Sequence, residues 1–114
     1  CKMTISMHSL LQKTEVVKEV SNNSFPRPIQ IRRDITRYNQ PRYIVLWRDE
    51  FETKLNDISA ESYYIEPIAE LLVKNDKLRY AVKPSSHHRV NSRFDEAVKC
   101  AVNEALTQEL QLLA

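Results

Sequence analysis

Two stretches of the chain concentrate groups that bind anions. Residues 26–48 carry Arg27, Arg32, Arg33, Arg37, Arg42 and Arg48 against Asp34 as the only acid. Residues 77–93 carry Lys77, Arg79, Lys83, Arg89 and Arg93 with no acid at all. Between them, residues 49–76 hold eight acids against Lys54 and Lys74, so basic and acidic blocks alternate while the whole chain stays at a net charge of +2. Tyr38 and Tyr43 lie in the first basic block, and Tyr80, His87 and His88 in the second. Arginine forks bind phosphate bidentately and aromatic faces stack unpaired bases, so the combination suits a nucleic acid. The residues expected to make the contact are Arg27, Arg32, Arg33, Arg37, Tyr38, Arg42, Arg79, Lys83, His87, His88, Arg89 and Arg93. The competing expectation is that these cations pair with the acidic block inside the fold or across a dimer, since surface charge is most often only solvated charge.

Other chemistries leave fainter marks. His87-His88 is a pair of metal-ligand residues, but adjacent side chains seldom converge on one ion and no further ligand stands at a recognised spacing, so no metal or other cofactor is expected. Asp34 followed by Glu52-Thr53-Lys54 resembles the Asp…Glu-x-Lys arrangement of metal-dependent nucleases. That resemblance implies carboxylates holding Mg²⁺ and a lysine steadying the attacking water. It covers those three residues alone, and in that family Glu-x-Lys lies on a core strand, whereas here it falls in a stretch with helical spacing. A surface pair is the expectation, and the protein is read as a non-enzyme.

Composition removes whole classes of site. The chain of 114 residues contains no glycine, where average usage of about 7% would supply roughly eight. Glycine-rich phosphate loops, dinucleotide turns and nucleophile elbows all need positive φ or close backbone approach, and so are not expected. Turns must then rest on Asn, Asp, Ser and Pro, which Asn22-Asn23-Ser24, Asn39-Gln40-Pro41, Asn75-Asp76 and Pro84-Ser85-Ser86 provide. Two cysteines give no disulfide framework and no C-x-x-C pair. Cys100 is read as a buried thiol; Cys1 stands in the place of an initiator Met, as in a trimmed or processed chain. No apolar run approaches the roughly 20 residues that span a bilayer, and a cytoplasmic location is expected.

The elements that must position these groups follow from hydrophobic periodicity. Met7, Leu10, Leu11, Thr14 and Val17 have helical spacing, which predicts one amphipathic helix over Ile5–Val20, ended by Asn22-Asn23. Ile29, Ile31 and Ile35 suggest a short edge strand, and Tyr43–Trp47, β-branched and aromatic, a buried strand. Phe51, Leu55 and Ile58 mark a helix with Asp49 and Glu50 in its first turn. Pro67 is placed at the start of another helix running to about Asn75, after an extended Ser62–Ile65. Leu78, Tyr80 and Val82 alternate as in a half-buried strand. Ser92-Arg93-Phe94-Asp95 fits a capping box opening a helix of about six turns, with Val98, Val102, Leu106, Leu110 and Leu113 along one face. These elements predict a single α+β domain over residues 1–114, with a mixed or antiparallel sheet of three to four strands packed against N- and C-terminal helices.

The functional expectation is a non-enzymatic binding or regulatory module contacting a polyanion, nucleic acid best of all, through segments 27–42 and 77–93. The alternatives are a self-associating accessory protein with a partner-protein or small-ligand surface, and a metal-dependent nuclease. Leu110 and Leu113 lie far enough along the last helix to meet a second copy, so a homodimer is favoured over a monomer.

Overall fold

The computed structural model describes residues 4–23, 25–36, 40–56, 64–75, 77–82 and 92–113. Its elements are β1 (Ile5–Ser6), α1 (Met7–Lys13), β2 (Thr14–Val20), β3 (Ile29–Asp34), β4 (Arg42–Trp47), α2 (Arg48–Leu55), β5 (Tyr64–Ile65), β6 (Ala69–Lys74), β7 (Lys77–Val82) and α3 (Ser92–Leu113). The fold is α+β. Its strands form two antiparallel sheets, a short pair β1-β5 and a five-stranded sheet in the order β2-β3-β4-β6-β7. The expected sheet of three to four strands is therefore too small.

Three layers bury two cores. On one face of the large sheet, Phe94, Val98, Ala101 and Val102 of α3 pack on Ile29, Ile31, Tyr43, Val45, Trp47, Ala69 and Leu71. On the other, Met7 and Leu10 of α1, Phe51 of α2 and Ile65 of β5 cover Ile44 and Leu46. The strand Tyr43–Trp47 is central and buried on both faces, which explains why it reads as a nearly continuous apolar run. The helix begun at Arg48 and the long C-terminal helix also stand where periodicity placed them.

One expected helix is a strand in its second half and another is a strand throughout. The predicted helix over Ile5–Val20 stops after Lys13, where Thr14 takes extended backbone angles and a seven-residue strand follows. Ser6 caps the short helix by accepting from the backbone N–H of Ser9 at 3.1 Å. The apolar spacing of residues 7–17 spans both elements, and the β-branched Thr14, Val16, Val17 and Val20 favour the sheet once β3 is there to pair with. That correction moves β3 too. Pairing of Thr14 with Asp34 through Val20 with Ile29 makes β3 an interior strand rather than an edge.

The helix expected from Pro67 to Asn75 is likewise β6. It pairs with β4 from Arg42 opposite Leu72 to Val45 opposite Ala69, and Ile68 N–H donates to the Val45 carbonyl at 2.7 Å. Ala69, Leu71 and Val73 then face α3 at period two, a spacing that coexists in this short segment with the helical one. Cys100 is also misplaced by the sequence reading, because its thiol is free and exposed rather than buried.

Candidate nucleic-acid interface

The described arginines of the first segment are engaged within the fold. Arg32 points from β3 toward α1, where it is only 6% exposed. Its Nε donates to Thr14 Oγ1 at 2.8 Å, Nη1 to Gln30 Oε1 at 3.0 Å, and Nη2 to the carbonyls of Leu10 and Thr14 at 3.4 and 3.3 Å. Those carbonyls close the C-terminus of α1, so the guanidinium meets the negative end of the helix while lying 4.8 Å from the Phe51 ring centroid. Burial without a carboxylate partner lowers its pKa from the ordinary arginine value.

Its neighbours are paired with acids. Arg33 Nη2 lies 2.8 Å from Glu15 and Nη1 3.5 Å from Glu109. Glu109 also accepts from the buried Tyr43 hydroxyl at 3.1 Å; burial, then the Glu109 charge, raises the Tyr43 pKa well above the usual phenol value. Arg42 on β4 stands between Asp34, at 3.1 Å, and Glu70. Arg27 grips Asp49 through Nε at 3.0 Å and Nη2 at 2.7 Å and covers the Trp47 ring at 5.1 Å. Arg48 meets Glu19 at 3.3 Å and Glu52 at 3.8 Å. Every described arginine of residues 26–48 thus has an internal partner, which is the competing expectation for that segment.

The β6-β7 hairpin differs. Its strands are held by Val73 and Leu78, then Leu71 and Tyr80, all turned toward α3. Alternation puts Leu72, Lys74, Lys77 and Arg79 on the opposite face, with Lys74 directly across from Lys77 and Leu72 across from Arg79. Asn75 turns the chain at φ 53°, a left-handed conformation that Asn tolerates better than other residues and that falls to it in a chain without glycine. The layer of α1 and α2 covers Ile44 and Leu46. It leaves Lys74, Lys77, Arg79 and Ala81 exposed and Leu72 half-buried. A groove of about 470 Å³ runs past Leu72, Lys74, Asn75, Arg79, Tyr80 and Ala81. Among the described residues, Lys74, Lys77 and Arg79 have no acidic partner.

Arg93, in the first turn of α3, is exposed as well. The expected contacts Arg37, Tyr38, Lys83, His87, His88 and Arg89 lie outside the described residues, as does Asp76 of the hairpin turn, and so do the side chains of Leu110 and Leu113, on which the dimer expectation rests. Lys74 was not among the residues singled out from sequence. It belongs there to an acidic block, and only its cross-strand position beside Lys77 joins it to the basic one.

The nuclease-like set is not assembled. Glu52 and Lys54 sit on helix α2, Glu52 faces Arg48 and Lys54 donates to the Tyr64 carbonyl at 2.5 Å, while Asp34 is bound to Arg42 and Thr36. Among the described residues no group of three or more His, Cys, Asp or Glu is placed to hold a metal ion. None of the described helices is long and apolar enough to cross a membrane.

No protein-family model, curated protein or solved structure matches this chain.

Proposed function

We propose that the protein is a non-enzymatic binding module that contacts a polyanion, nucleic acid in particular, through the cations of the β6-β7 hairpin and the segment that follows it. One observation carries this reading. The described arginines of residues 26–48 are engaged internally, Arg27, Arg33, Arg42 and Arg48 by acids and Arg32 by neutral acceptors, whereas Lys74, Lys77 and Arg79 are exposed together on one sheet face with no acidic partner among the described residues. Lysines directly opposite each other on adjacent strands destabilise a sheet, so an arrangement that sets them there and leaves them unpaired favours an external anion. The sequence continues the same charge through Lys83, Arg89 and Arg93.

The reading narrows the contact from two segments to one. Fluorescence anisotropy with a labelled oligonucleotide at about 50 mM salt should show binding that weakens steeply as salt is raised, through counterion release. The triple variant Lys74→Ala, Lys77→Ala, Arg79→Ala should abolish most of it, while Arg33→Ala should leave it intact. Loss of binding in Arg33→Ala with the triple variant unaffected would return the contact to the first segment.

A further inference from the structure

We infer that the polyanion is a single strand of nucleic acid, which turns around the sheet edge at β7 and is held on the far side by Lys99 of α3. The inference rests on the polyanion reading above and names the ligand class and a further contact residue of the same site.

Among the described residues β7 is a terminal strand of the five-stranded sheet, and a groove lies on each side of it. The first, described above, passes Lys74 and Arg79 on the face turned away from α3. The second, of about 450 Å³, lies between β7 and α3 and is lined by Lys77, Leu78, Glu96, Lys99, Cys100 and Asn103. Lys77 therefore belongs to both sides: it opposes Lys74 across the hairpin, yet it lines the groove that α3 shares. The positive charge does not stop at the sheet face.

Lys99 is held in place for this contact. Its Nζ lies 4.9 Å from the centroid of the Tyr80 ring, and the Tyr80 hydroxyl donates to the Asp95 carbonyl at 2.8 Å, so ring and helix are fixed to one another. A ring face attracts the ammonium without supplying a countercharge, so Lys99 keeps its full charge beside β7. Lys77, Lys99 and Asn103 are all exposed. Glu96, also exposed, is one acid against two lysines in this groove, which leaves it net positive.

Lys74, Lys77, Arg79 and Lys99 thus follow a path that bends over a strand edge from one layer of the fold to the next. A duplex has a persistence length of about 150 bp and cannot make such a turn within the width of one strand. A single strand can, and a cationic groove that tracks its backbone is the usual means of holding it.

The test is fluorescence anisotropy on the purified full chain at low salt, with labelled oligo-dT and a labelled duplex of equal length. The single strand should bind more tightly, and four phosphate contacts should give it a slope of log K against log salt of about −3. Lys99→Ala should lower its affinity and flatten that slope by about 0.7, the share of one contact. Glu96→Gln should raise the affinity, because it removes the acid beside the path. Opposite signs from two exposed positions on one helix are not produced by a general loss of structure, and circular dichroism checks that both variants are folded. Two results would overturn the inference while leaving the polyanion reading in place: a duplex bound as tightly as the single strand, or affinities unmoved by both α3 changes while Lys74→Ala, Lys77→Ala, Arg79→Ala abolishes binding. Absence of binding to either probe would overturn both.

Discussion

The guanidinium groups of Arg27, Arg32, Arg33 and Arg42 come from one basic segment and end on quite different acceptors: an exposed aspartate, a helix terminus, two glutamates and a buried pair of acids. Residue type alone would have made them equivalent. The lysines of the hairpin show the converse, since Lys74 and Lys77 oppose each other with the same charge and, among the described residues, with no acidic partner. Replacing Lys74 with Glu should therefore stabilise the fold, by about 0.2–1 kcal/mol from the new cross-strand pair. The same change should weaken oligonucleotide binding. Urea denaturation together with anisotropy checks both signs at once; a Lys74→Glu variant that loses stability would show that the lysine pair is no burden to the hairpin.

At the scale of elements, the large apolar anchors of α3 lie in its first half, while Glu104 and Glu109 tie its second half by polar contacts to Lys18, Arg33 and Tyr43. Phe94 meets Trp47 at 6.1 Å and Phe25 edge-on at 5.8 Å, and Val98 and Val102 are fully buried, whereas Leu106 is only partly so. The apolar stripe read from sequence treats Val102 and Leu106 as equals, but the sheet supports them unequally. Phe94→Ala should cost about 3–5 kcal/mol, and Leu106→Ala below about 2 kcal/mol because less surface is removed from water on folding. Chemical denaturation of the two variants measures the difference, and equal losses would mean that the helix is docked evenly along its length. For α1 the element is as short as it is because two groups close it: Thr14 Oγ1 and Arg32 both donate to the Leu10 carbonyl.

Over the whole molecule, the described arginines of the first basic block tie strands and layers together through acids distant in the chain. Asp34, 6% exposed, would have its pKa raised by burial, yet the hydroxyl and N–H of Thr36 and the Arg42 guanidinium outweigh that and lower it below its ordinary value of 3.8. A carboxyl depressed in the folded state adds stability that is fully present above its unfolded pKa and is lost as pH falls through the folded one. Stability should accordingly hold from neutral pH down to about 5 and decline below about 4. Asp34→Asn should lose about 1.5–3 kcal/mol at neutral pH, the usual contribution of a hydrogen bond to a charged group, and decline less on acidification. Thermal melts at pH 7, 5 and 3 read both effects; parallel pH curves for the two proteins would remove Asp34 from the account.

The sequence by itself determined the elements whose signal is local and redundant: the apolar strand Tyr43–Trp47, the helix opened by Asp49 and Glu50, the alternating strand around Tyr80, and the long amphipathic helix from Ser92. It also left turns to residues other than glycine, as at Asn75. Only the tertiary structure decided Thr14–Val20 and Ala69–Lys74, because helical and alternating spacing coexist in such short segments and the choice falls to a strand that can pair with them. It alone decided which cations are free. The partners that engage Arg32 and Arg42, the Thr14 hydroxyl and the Glu70 carboxylate, stand 18 and 28 residues away in the chain and are brought to them by strand register. Register is set by burial of one face of each strand against a helix, a long-range condition that neither charge counts nor local periodicity contain.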